Sequence, residues 1–169
     1  MRIIGTILLC VVFAACSSNS TKRQPVTDEM LVNINRTLVD MDQERIESYA
    51  ERHNWDMKVS PTGMWYQIYE HGNGDSVRVG KVVTLNYKLS LLNGKECYSS
   101  DSLGSKVFRV GQGGVETGLE EAVLLMRVGD KARLIMPAFM AHGLIGDGNK
   151  IPARATIVYE TEIISQSDN

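Results

Sequence analysis

A chain of 169 residues holds one ordinary domain with appendages and is too short for two large ones. With 43% hydrophobic and 22% charged residues it has the composition of a globular protein with a buried core, which excludes the disordered and collagen-like classes. The formal net charge is −2 and the 18 lysines and arginines are scattered, which excludes the basic stripe of a nucleic-acid binder.

Residues 1–15 read as a signal peptide: Arg2 precedes an apolar run from Ile3 to Ala15. That run is too short to cross a bilayer, which needs roughly 20 apolar residues. It ends in Phe13-Ala14-Ala15-Cys16, which resembles the lipobox of bacterial lipoproteins, with Cys16 as the acylated residue and Phe13 where an aliphatic residue is usual. The expectation is a protein of the cell envelope, held to a membrane by its N-terminal lipid. No acidic cluster follows Cys16, which points to the periplasmic side. Loss of Cys10 and acylation of Cys16 would leave Cys97 as a lone thiol, a small buried hydrophobe.

Residues 16–26 are polar and aperiodic, a flexible tether. Thr27 offers an N-cap, Asp28 and Glu29 suit the first turn, and residues 27–54 are expected to form an amphipathic stalk helix. Leu31, Ile34, Leu38 and Met41 recur at spacings of three and four, and Val32, Val39 and Ile46 add a stripe seven apart. That face either docks on the protein's own domain or pairs with the same helix of a second copy. Both remain open, the second as a homodimer through residues 27–54.

Segment 55–78 carries a turn at Pro61-Thr62-Gly63 and an aromatic strand from Met64 to Tyr69. Val83, Leu85, Tyr87, Leu89 and Leu91 alternate with polar residues, the period of a half-buried antiparallel strand, and Asn93-Gly94 turns it into a returning strand at Lys95 to Tyr98. A short strand at 106–110 precedes a glycine loop. Thr117 and Glu120 have the spacing of a capping box before one short helix. Strands at 131–136 and 155–164 complete the domain, 79–165, before a tail at 166–169.

No Gly-x-Ser-x-Gly elbow supports a hydrolase, although Ser99, Ser100, Asp101 and His142 supply the residue types. His53, His71 and His142 lack metal-ligand spacing, and no phosphate loop is present. Neither a metal nor another cofactor is expected. A pocket in such a chain would be mainly apolar and aromatic, and one reaction that needs no nucleophile is rotation about the bond before proline.

From about Val79 to Ser165 the chain resembles the FKBP family of peptidyl-prolyl isomerases, in segments that arrive in order. Val83-Thr84-Leu85-Asn86-Tyr87, Leu92-Asn93-Gly94-Lys95, Val107-Phe108-Arg109-Val110-Gly111, Gly118-Leu119-Glu120-Glu121-Ala122, Val128-Gly129-Asp130 and Ala155-Thr156-Ile157-Val158-Tyr159 carry the likeness. The lipobox, the stalk and the stretch Met140 to Asp147 are similar to the gliding-motility branch of FKBP lipoproteins. The resemblance implies an α+β fold, an antiparallel five- to six-stranded curved sheet wrapped around one short helix and preceded by a long N-terminal helix.

It also implies that Tyr87, Phe108, Val115, Leu119, Ile151 and Tyr159 form the catalytic pocket, with Cys97, Tyr98, Glu116 and His142 touching substrate. Tyr87, Phe108, Leu119 and Tyr159 would hold the prolyl ring, and the Ile151 amide would donate to a substrate carbonyl. Several positions depart from the family pattern. Cys97 stands where phenylalanine is frequent, Tyr98 for aspartate, Lys106 for an aromatic, Leu119 for a floor tryptophan, Glu116 for an aliphatic residue and His142 for a flap tyrosine. Losing tryptophan-sized contact costs of order 1–3 kcal/mol of binding, so a low rate stays open. The partners expected are proline-containing polypeptides, and the alternative is a lipid-anchored chaperone or binding module.

Overall fold

The computed structural model describes residues 27–168; the signal segment, Cys16 and the tether lie outside the described residues. Helix α1, Asp28–Arg52, begins where Thr27 accepts a hydrogen bond from the Met30 amide at 3.3 Å, with Asp28 and Glu29 at the positive end of the helix dipole. It ends at Asn54, whose φ of 53° takes the left-handed turn that asparagine tolerates. Its 25 residues span about 37 Å at 1.5 Å per residue.

Seven antiparallel strands follow: β1 (Lys58–Val59), β2 (Trp65–Glu70), β3 (Val82–Leu91), β4 (Glu96–Ser99), β5 (Lys106–Arg109), β6 (Lys131–Met136) and β7 (Ile157–Ser167). Their order is β1-β2-β6-β7-β3-β4, with β5 also paired to β3. Six correspond to the strands read from the sequence, and two-residue β1 is the seventh. Strand β2 pairs along β6 from Trp65↔Ile135 to Glu70↔Lys131, so the sheet begins well before residue 79. Gly94, at φ 83°, closes the β3–β4 hairpin, its amide donating to the Leu91 carbonyl.

The period of two sorts each strand between faces. Val83, Leu85 and Leu89 of β3, Leu134 of β6 and Tyr159 of β7 are buried on the concave face, against Leu119, Ala122 and Val123 of helix α3 (Thr117–Leu124). The capping box does not form. The N-cap is Glu116, with Thr117 already helical, and no side chain caps the helix. The Glu120 carboxylate instead accepts from the amides of Gly111 and Gly113 at 2.7 and 3.0 Å, tying the glycine loop to α3.

The opposite face carries a second, smaller core. Ile46 and Tyr49 of α1 bury Ile135 and Val158, with Trp55, Met57, Trp65 and Leu92 packed around them. Trp65, Ile135 and Val158 are consecutive register partners across β2, β6 and β7, so three strands present one apolar row to the helix. Only the C-terminal half of α1 packs on the strands; Leu31, Ile34 and Met41 stay exposed.

Candidate functional site

Strands β3 and β7 bring two tyrosines together. Tyr87 and Tyr159 have ring centroids 5.8 Å apart, tilted by 42°. The backbone of Tyr87 is fixed by Ser100, whose hydroxyl accepts from its amide at 3.1 Å and donates to its carbonyl at 3.3 Å. Ser100 opens α2 (Ser100–Leu103), a turn of helix after β4.

A charged network closes over these rings. The Lys106 ammonium, from β5, lies 5.1 and 5.4 Å from the centroids of Tyr87 and Tyr159. It donates to the Tyr159 hydroxyl at 2.8 Å and to Glu116 Oε2 at 3.2 Å, and the Tyr159 hydroxyl donates to Glu116 Oε1 at 2.8 Å. His142 Nε2 stands 3.3 Å from the same Oε1, yet without hydrogen-bond geometry. Burial opposes ionisation of Glu116, but Lys106, its own backbone N–H and the Tyr159 hydroxyl outweigh it, holding the carboxyl below its usual value. Burial, then Glu116, pushes the Tyr159 hydroxyl far above the ordinary phenol range, so it remains a donor.

Beside the network is a hollow of about 380 Å³, lined by Lys106, Gly114, Val115, Glu116, Ala141 and His142. The expected greasy cavity is therefore half polar: ion-pairing side chains stand among its apolar wall residues. Among the residues singled out from the sequence, Val115, Glu116 and His142 line it, while Tyr87 and the fully buried Tyr159 stand behind Lys106 rather than in its wall. Phe108, Leu119, Ile151 and Cys97 are buried in the main core and do not line the hollow; Leu119 is fully enclosed. Tyr98 turns to another partner, donating its hydroxyl to Asp147.

Asp147 was not singled out from sequence, although the run Gly146-Asp147-Gly148-Asn149 is a strong turn signal. Its Oδ1 accepts from the amides of Asn149 and Ile151 at 2.9 and 2.8 Å. Slight burial opposes ionisation, but the Tyr98 hydroxyl, these two amides and nearby His142 hold the carboxyl at about 2. The Ile151 amide expected to reach a substrate carbonyl is thus already engaged within its own loop, a correction to the sequence reading.

Comparison with known proteins decides the family. The model of the FKBP-type peptidyl-prolyl cis-trans isomerase family matches residues 74–164, more than half of the chain. The chain belongs to this family. It is 35% identical to FK506-binding protein 1A of Neurospora crassa over 60% of this chain and 87% of that protein. It is 34% identical to the FKBP-type peptidyl-prolyl cis-trans isomerase FkpA of Escherichia coli (strain K12), over 64% of this chain but 39% of FkpA. The match spans 29% of the longer FK506-binding protein 4 of Dictyostelium discoideum, so these longer relatives are matched over only part of their length. Among solved structures, FkpA from Escherichia coli superposes with a TM-score of 0.66 at 28% identity, covering 82% of this chain and 64% of that one. AtFKBP13 gives 0.64 at 28% identity, over 66% of this chain and 99% of its own.

Within this FKBP domain the loop at 146–151 is closed by Asp147 and tightly packed at Gly146. Gly146 has φ 74°, and a Cβ there would fall 2.2 Å from the Ile151 carbonyl oxygen and 2.7 Å from the Pro152 carbonyl carbon. Gly146→Ala is expected to lower stability by about 2 kcal/mol, through left-handed strain and backbone contact together. A denaturant midpoint unchanged from the parent would show that the loop relaxes without cost.

Proposed function

We propose that this chain is a peptidyl-prolyl cis-trans isomerase of exported or envelope polypeptides, carried at the envelope by a lipid on Cys16. The observation that carries the reading is the convergence of Tyr87 and Tyr159 beside an open hollow, within a domain of the FKBP family. Rotation about an X-Pro bond breaks amide resonance against a barrier of roughly 18–20 kcal/mol. A site that seats the prolyl ring against Tyr87 and Val115, with Tyr159 packed behind, and fits the twisted imide better than either planar isomer lowers that barrier with no covalent step. The Lys106–Glu116 pair at the wall supports a modest rate, because a ring seated beside it strips water from two charges.

The test is a prolyl-isomerisation assay on the full chain beside Tyr87→Ala. Removing that ring is expected to lower kcat/KM about tenfold, from lost apolar contact. Turnover indistinguishable from the uncatalysed rate in the parent chain would refute the reading.

Exposed apolar residues favour a second role. Phe139, Leu144 and Ile145 stand out from the loop after β6, and Leu38 and Val39 of α1 share with Phe139 and Leu144 a groove of about 250 Å³. Such a surface suits a chaperone that holds unfolded clients, and the exposed stripe of α1 suits pairing of two copies. Suppression of client aggregation that persists in Tyr87→Ala would separate holding from isomerisation.

A further inference from the structure

We propose that the site prefers polypeptides with an acidic residue immediately before the proline. The inference rests on the isomerase reading and adds a substrate class to it. Charge in the network is layered. The Glu116 side chain keeps 7% of its exposure, whereas Lys106 and His142 keep 23% and 27%. The anion therefore sits at the back, engaged by the Tyr159 hydroxyl and by Lys106, and nitrogen-bearing side chains meet the solvent.

An ammonium has three N–H donors. Lys106 uses one on Tyr159 and one on Glu116, which leaves one for a ligand. His142 borders the hollow, but its Nε2 is buried against Glu116, so Lys106 is the donor that meets a ligand. Asp147, the other carboxylate close to His142, does not line the hollow, and its oxygens accept from Tyr98, Asn149 and Ile151.

Because Lys106 lines the hollow with Val115 and its nitrogen lies 5.1 Å from the Tyr87 centroid, a prolyl ring seated between Tyr87 and Val115 brings the preceding side chain within its reach. A carboxylate there finds a free donor and an opposite charge. An ammonium meets Lys106 before Glu116. An aliphatic side chain covers the remaining N–H without replacing its water, a cost that offsets its own burial.

The measurement is kcat/KM of the full chain for peptides that differ only in the residue before proline: Glu, Gln, Leu or Lys. The expected order places Glu first, roughly fivefold above Lys at low ionic strength, with the gap narrowing as salt screens it. Lys106→Arg is expected to keep the order. The double variant Lys106→Met, Glu116→Leu removes both charges without leaving one buried alone, and is expected to bring the four rates together. Equal rates for Glu and Lys peptides in the parent, or an unmoved order in the double variant, overturn the preference and leave the isomerase reading intact. Absence of turnover for all four overturns both.

Discussion

Lys106→Met is expected to cost about 3 kcal/mol of stability at neutral pH, the lower end of what breaking a buried ion pair costs. The substitution keeps the length and apolar stem of lysine, so packing changes little. What it removes is the charge facing Glu116, whose carboxylate sits almost enclosed beneath Tyr159. The lower end applies because Lys106 is itself partly exposed.

The loss has a characteristic pH dependence. In the parent chain the Glu116 carboxyl is held below its ordinary value of 4.5, so its ionised form adds stability above that pH, and the contribution disappears as pH falls through the lower folded value. In the variant, burial no longer meets the Lys106 cation and pushes the carboxyl upward. The penalty is then full well above pH 4.5 and shrinks as acid neutralises the side chain. Denaturant midpoints of the two proteins should converge from pH 7 to pH 4. Parallel curves would mean that water already screens the pair.

The second large effect is predicted at the other face of the sheet. Ile46→Ala empties the centre of the small core formed with Tyr49, Ile135 and Val158 and is expected to cost about 3 kcal/mol. The expense should be local, because no more than the C-terminal half of α1 holds the helix to the strands. Amide exchange is expected to accelerate throughout residues 28–52 while the concave face of β3 and β7 keeps its protection. Uniform acceleration would instead show that helix and sheet open as one unit.

The parts of the fold visible in the letters were those governed by local rules. Alternation in residues 83–91 gave β3, Asn93-Gly94 its hairpin, and Thr27 with Asp28 and Glu29 the start of α1. Contacts made across the chain were hidden. Ile135 sits on the outward side of β6 with Lys131 and Arg133, and it is buried because a helix about ninety residues earlier covers it. Glu120 has the spacing of a cap but finds two loop amides closer.

The site was hidden for the same reason. Lys106 and Glu116 each departed from the family pattern, yet nothing local says that a glycine loop folds one onto the other under Tyr159. Ile151 carried an amide that looked available until Asp147, four residues earlier, closed its turn.

Strand β7, the last in sequence, sits between β6 and β3 in the middle of the sheet. A chain emerging from the ribosome with its N-terminus first therefore exposes the unpaired edges of β3 and β6 until residues 157–167 arrive. Its assembly waits on long-range pairing, which is slow and leaves nascent molecules prone to sticking together. If its clients are folding intermediates, this protein passes through such a state itself.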